Sequence, residues 1–225
     1  MMTLTAADGH KFHAYEAGNV NAKRGLVVVQ EIFGVNQHIR NVAERLAGFG
    51  YRVLAPAMFD RVSPGIELGY DQEGIAEGRA LMQQVTTAQA LLDLQATAAA
   101  FGEGEPVGII GYCWGGSLAW DAATRTKSFK AASCWYGGGI AATKDAKPNC
   151  PVQMHFGTED HGIPMSDVQT IKAAQPGVDV FVYEGAQHGF GCEARASYSR
   201  KDWELAELRA PVSYTHLTLP TKRIV

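Results

Sequence analysis

Val107-Gly108-Ile109-Ile110-Gly111-Tyr112-Cys113-Trp114-Gly115-Gly116 is the stretch that decides the fold of this 225-residue chain. Its first six residues form a short apolar run, which passes without a linker into Trp114 to Thr126, a segment of helical spacing. A strand that turns at once into a helix leaves space only for small residues beside the turn. Gly111, Gly115 and Gly116 around Cys113 therefore read as a strained elbow with a nucleophile at its tip. The backbone N–H of Trp114 then faces a bound carbonyl as one oxyanion donor, and the helix N-terminus favours a thiolate at Cys113. Most free cysteines are small buried apolar residues, and it is the elbow that sets Cys113 apart.

On either side of this stretch the same alternation recurs. Gly25 to Gln30, Tyr51 to Pro56, Ala131 to Tyr136, Val152 to Phe156 and Val178 to Tyr183 are short, nearly continuous apolar runs that suit strands buried on both faces. Between them Gln37 to Phe49, Ile75 to Phe101 and Met165 to Gln175 have helical spacing. Thr3 to Ala7 and Phe12 to Glu16, joined at Asp8-Gly9, predict a leading hairpin. Strands alternating with crossover helices imply an α/β fold, a mostly parallel, doubly wound sheet with helices on both faces. Ser63 to Gly69 is the most irregular interior stretch and is expected to be a loop or lid at the strand ends.

A cysteine nucleophile needs a base and an orienting carboxylate, and both are expected just past strand C-termini, the edge where open α/β sheets build their sites. Asp160 follows the Val152 strand and His188 follows the Val178 strand, in the order nucleophile, acid, histidine. Glu159 and Asp167 are nearby competitors for the acid, and His161 is a rival histidine. Gln30-Glu31-Ile32-Phe33-Gly34 closes the first central strand at the same edge. The Ile32 N–H there takes the place of the second oxyanion donor, and Glu31 would repel a resting thiolate or accept its proton.

Composition removes the other classes. With 46% hydrophobic and 19% charged residues the chain is neither disordered nor, having four cysteines, a disulfide scaffold. Twenty basic against 23 acidic residues leave no field that concentrates phosphate backbones, so no nucleic acid is expected. No apolar run is long enough to span a membrane and no export signal opens the chain, so the expectation is a cytoplasmic protein with free thiols. Cys134 reads as core, Cys150 as a loop thiol, and Cys192 as a loop thiol close to His188. His10/His13 and His155/His161 lack the paired spacing of a zinc site, and no phosphate loop follows Gly111, so neither metal nor cofactor is expected.

The motifs Gln30 to Gly34, Gly111 to Gly116, the Asp160 loop and His188-Gly189-Phe190, over residues 3 to 210, together resemble the dienelactone hydrolase family of the α/β-hydrolase fold. The resemblance implies Cys113, Asp160 and His188 as the triad. It also implies Glu31 as a switch that pairs with the resting thiol and moves away when substrate binds. The implied reaction is hydrolysis of an enol lactone, dienelactone to maleylacetate, through an acyl-cysteine. The implied partner is a small-molecule lactone or ester, bound by a monomer or weak oligomer. Arg79 is a candidate anchor for a substrate carboxylate, and Phe33, Tyr136 and Phe190 are candidate substrate contacts. The arginine expected a few residues after the histidine is out of register here, the nearest being Arg195. A general carboxylesterase and a non-catalytic binding protein of the same fold are the alternatives.

The end of the chain departs from this pattern. Lys201 to Ala210 begins a closing helix, but residues 211–225 carry two prolines and three threonines with no helical period. The stretch resembles translated sequencing-adapter read-through. The expectation is one domain over residues 1–210 with its closing helix cut short at Pro211, a sheet face partly uncovered, and a non-native tail.

Overall fold

The computed structural model describes residues 1–214, with side chains as far as residue 209. Eight strands form one sheet: β1 (Met2–Thr5), β2 (Lys11–Ala17), β3 (Gly25–Val29), β4 (Arg52–Pro56), β5 (Val107–Tyr112), β6 (Ala131–Trp135), β7 (Val152–Gly157) and β8 (Asp179–Tyr183). Their order is β1-β2-β4-β3-β5-β6-β7-β8, antiparallel between β1, β2 and β4 and parallel elsewhere. Every residue of β3, β5, β6 and β7 is buried, which is why these runs are apolar throughout rather than alternating.

Six α-helices accompany the sheet among the described residues: α1 (Gln37–Gly48), α2 (Gln72–Met82), α3 (Thr87–Ala99), α4 (Trp114–Arg125), α5 (Met165–Ala174) and α6 (Arg200–Tyr214). On one face α1 packs on β2, β3 and β4 and α6 on β6 and β7, the two helices joined by an Arg45–Glu207 ion pair of 2.9 Å. On the other, α3 and α4 pack together over β3, β4, β5 and β6. Among the described residues no helix is long and apolar enough to cross a membrane.

Two segments differ from the sequence expectation, and the loop expected at Ser63 to Gly69 is present. Ile75 to Phe101 is two helices, because Thr86 caps α3 through a reciprocal box with Gln89 and so starts a new helix where the apolar pattern runs on. Ser63 to Gly69 is pinned rather than free: Glu67 bridges Gly34, and Leu68 N–H donates to the Phe33 carbonyl at 2.9 Å. Gly34 takes φ +77° there, and a Cβ would stand 1.9 Å from the Ile66 carbonyl oxygen, so only glycine lets the two segments meet. Finally, α6 runs through Pro211 to Tyr214 instead of stopping. A proline costs one backbone hydrogen bond but does not by itself end a helix held by packing, and Ala206 and Asp202 of α6 are buried. The proposed foreign tail lies, from residue 215 on, outside the described residues.

The sheet interior also holds a titratable group. His155 on β7 is fully buried, 2.8 Å from the Tyr183 hydroxyl and with its ring 4.7 Å from that of Trp135. Burial, and secondarily the charge of Arg209, push its pKa down to about 3. A depressed histidine stays neutral in the fold while the unfolded chain takes up a proton below about pH 6.5, so stability falls as pH drops from there towards 3. One such group contributes a slope of up to about 1.4 kcal/mol per pH unit. Chemical denaturation of His155→Gln between pH 7 and 4 is expected to show a shallower fall than the parent protein. Equal slopes would mean that His155 charges in the fold.

Candidate active site

The chain runs from β3 outward to β4, then returns past β3 to β5, so the strand order reverses between β3 and β5. At such a switch point the loops leaving the two strands separate and open a crevice at their C-terminal ends. Glu31 and Ile32 leave β3 there, and Cys113 leaves β5. The next strand ends on the same side bring Tyr136 after β6, Asp160 after β7 and His188 after β8.

Cys113 occupies φ +56°, ψ −115°, a region costing a non-glycine residue on the order of 1–3 kcal/mol. The surroundings hold it there. Its N–H donates to the Trp135 carbonyl at 2.9 Å. A Cβ on Gly111 would lie 1.9 Å from the Gly115 oxygen, one on Gly115 2.4 Å from the Val29 oxygen, and one on Gly116 2.4 Å from the Trp135 oxygen. These approaches bring α4 close against β3, β5 and β6 and leave the Cys113 side chain half-buried at the edge of the crevice.

His188 Nε2 lies 3.1 Å from Cys113 Sγ, and His188 Nδ1 lies 2.7 Å from Asp160 Oδ2. An ionised carboxylate cannot donate, so Nδ1 carries the proton and Nε2 faces the sulfur. Burial opposes a charge on this imidazole, yet the hydrogen bonds to Asp160 and Cys113 outweigh it and lift the pKa to about 10. Asp160 is buried and its other oxygen accepts the Gly162 N–H at 2.9 Å, which fixes the carboxylate. The competitors fall away: Glu159 and His161 are exposed, and Asp167 sits in the first turn of α5. The three residues expected as a triad are thus brought together. The N–H groups of Ile32 and Trp114, at the C-terminal ends of β3 and β5, have no acceptor among the described residues.

Glu31 does not pair with the thiol as expected. Its carboxylate is buried and its Oε1 lies 3.3 Å from Arg195 Nη1, while Cys113 faces His188. The physical reason is a guanidinium within reach: a buried carboxylate gains more from a fixed cation than from a neutral thiol. Arg195, set aside on register, is in the site. Gly189, at φ +77°, makes the space, since a Cβ there would stand 2.7 Å from Arg195 Nη1. The guanidinium also lies 5.9 Å from the ring centres of Phe33 and Tyr70.

The remaining candidates are placed as follows. Phe33 is buried, its ring 4.4 Å from Tyr70. Tyr136 is buried at φ +38°, ring edge to face with His188 at 5.1 Å, and its hydroxyl has no partner. Phe190 is a core residue rather than a substrate contact, packed on Trp135 and Tyr183 with no exposure. Arg79 is exposed on α2, and its side chain makes no hydrogen bond or ion pair among the described residues. Tyr70, His38, Cys192 and Glu193, which sequence reasoning did not assign, gather beside Glu31. Cys192, read as a loop thiol, is fully buried there.

A model of the dienelactone hydrolase family matches residues 12–211. The chain belongs to the dienelactone hydrolase family. Among its relatives, a Synechocystis protein provisionally named a carboxymethylenebutenolidase is 41% identical over 193 residues, covering 77% of this chain and 78% of its own. The Pseudomonas putida carboxymethylenebutenolidase is 30% identical over 220 residues, with 92% of each chain covered. A crystal structure provisionally assigned as a dienelactone hydrolase, from Klebsiella pneumoniae, superimposes with a TM-score of 0.79 at 30% identity, over 94% of this chain and 97% of the other. This dienelactone hydrolase family member is a hydrolase of the α/β-hydrolase fold, of a family that acts on small lactones and esters.

Proposed function

We propose that this family member hydrolyses lactones or activated esters of the dienelactone-to-maleylacetate type through an acyl intermediate on Cys113. The observation that carries the reading is the thiol 3.1 Å from His188 Nε2 on a strained elbow, with Asp160 behind the imidazole. His188 takes the thiol proton as sulfur attacks the carbonyl carbon. The oxygen that gains negative charge is stabilised by the N–H groups of Ile32 and Trp114. Collapse breaks the ring C–O bond, leaving the acyl group on sulfur and releasing an enolate that takes the proton from His188 Nε2, which frees the imidazole to act again as a base. Water then attacks the thioester, gives its proton to His188, and the thiol is restored as the carboxylate product departs. An enolate suits this nucleophile, because a thiolate is itself a good leaving group and would be expelled in preference to an ordinary alkoxide.

Arg195 supplies the anchor for an anionic substrate. A substrate carboxylate that binds it competes with Glu31, so Glu31 acts as a switch through Arg195 rather than through a resting bond to sulfur. Hydrogen bonds to charged groups are worth about 1.5–3 kcal/mol, or roughly 10–100-fold in affinity. Arg195→Gln is expected to raise KM for dienelactone by about that factor and to leave KM for an uncharged aryl ester within about twofold. Steady-state kinetics on the two substrates measures this. An equal change on both removes Arg195 as the anchor, and equal kcat/KM values on both substrates in the parent protein favour a general carboxylesterase.

A further inference from the structure

Behind Arg195 lies a second cluster of reactive side chains, of which only Glu31 has a part in the proposed hydrolysis. Glu31 from the loop after β3, His38 from the first turn of α1 and Cys192 from the loop after β8 are all buried, and one ligand atom from each lies within 4.8 Å of the other two. Two of these atoms are orphans. Glu31 Oε2 and His38 Nε2 are shielded from solvent and have no hydrogen-bond partner, although each belongs to a residue at least nine-tenths buried. Leaving such atoms unsatisfied costs about 1–3 kcal/mol apiece, so a pair of them facing one thiol marks a place built for something.

We propose that Glu31 Oε2, His38 Nε2 and Cys192 Sγ form a binding site for a divalent zinc-type cation. The donor set supports it first. Thiolate, imidazole and carboxylate together suit zinc, whereas calcium and magnesium require oxygen donors. The tautomer supports it second. His38 Nδ1 lies 2.7 Å from Glu193 Oε2, which keeps a proton on Nδ1, so Nε2 is the nitrogen that would give up its proton to take a metal ion. A carboxylate behind the imidazole is the usual support of a metal-bound histidine. Glu193 itself is fixed at its other oxygen by Asn41 at 3.3 Å.

The two oxygens of Glu31 divide the work: Oε1 faces Arg195, and Oε2 remains for the ion. Tetrahedral zinc would hold its ligands roughly 3.5 Å apart, so atoms as far as 4.8 Å apart need to close by at most about 1.3 Å, within reach of side-chain rotation. Tyr70, half-buried, accepts a hydrogen bond from Asn36 at 3.1 Å on its hydroxyl, which lies next to Cys192. The sequence did not reveal this site because its three donors lie in separate segments with none of the short paired spacings by which zinc sites are read.

The test reads binding, not turnover. Full-length protein freed of metal with a chelator is titrated with zinc by calorimetry and with cobalt by absorption, in a Cys113→Ala background that removes the catalytic thiol. One equivalent of zinc is expected to bind, with an intense near-ultraviolet thiolate-to-cobalt band. Cys192→Ala on that background should abolish the band, and Glu193→Gln should weaken binding by about 10–100-fold. A zinc-dependent rise in Tm in the parent and Glu193→Gln proteins shows that they remain folded. No binding at micromolar zinc, which would leave the orphan atoms to ordinary water, overturns the proposal. So does a cobalt band that survives Cys192→Ala, since the ion would then lie on another thiol.

Discussion

Cys113→Ala is expected to lower lactone and ester hydrolysis by about 10⁴-fold or more and to shift Tm by only a few degrees. The loss is large because the imidazole has nothing to activate once the sulfur is gone, and only binding and the backbone donors remain to assist water. The small thermal effect follows from the position of the side chain, half-buried at the crevice and not wedged into the core. Backbone strain gives an internal control. Alanine at φ +56° is no more comfortable than cysteine, whereas glycine is, so Cys113→Gly is expected to be equally inactive but more stable by about 1 kcal/mol. Intact-mass analysis of protein mixed briefly with an activated ester is expected to find an acyl adduct on the parent enzyme and none on either variant. Wild-type turnover by Cys113→Ala would refute the acyl-cysteine route. An inactive parent protein would favour a binding role for the same fold.

The Cys113, Asp160 and His188 arrangement was legible because each member carries a local signal that survives without knowledge of the tertiary fold. Cys113 is marked by glycines two residues before and two and three after it, and each of those glycines turns out to abut backbone from another strand or turn. Asp160 and His188 needed only the rule that strand C-termini share an edge. The strands were legible for a similar reason, since burial on both faces writes a continuous apolar run. What the sequence did not disclose depends on competition between contacts. Whether Glu31 faces the thiol or a guanidinium turns on where Arg195 points, and that is set by the path of an aperiodic loop and the left-handed backbone of Gly189. The break before α3 was missed differently: Thr86 and Gln89 carry a cap signature, but the apolar spacing across it is continuous, and periodicity alone favours one helix. Phe190 illustrates the limit in the other direction. A residue two positions from His188 is near it in sequence, yet the turn at Gly189 sends its ring into the core against Trp135 and Tyr183.

Gly111→Ala is expected to destabilise the fold by about 3–5 kcal/mol, as an overpacking change that no side-chain rotation can relieve. The atoms a methyl would meet are backbone: the Gly115 oxygen at 1.9 Å, its carbon at 2.3 Å and the Gly116 nitrogen at 2.9 Å. To admit the methyl, α4 must move off β5 at the point where Cys113 is carried, so stability and activity should fall together. For a chain of this length each kcal/mol corresponds to about 2–4 °C, and Tm should drop by about 6–20 °C. Gly138→Ala is the matched control, because its nearest neighbour would be 3.8 Å away and its backbone is ordinary. Its effect should stay within about 0.5 kcal/mol. Thermal unfolding of the two variants, with hydrolysis assayed well below either transition, separates the cases. If Gly111→Ala kept both the parent Tm and the parent rate, the close crossing of α4 over β5 would not be what holds Cys113 in its strained position, and the physical account of the elbow would fail with it.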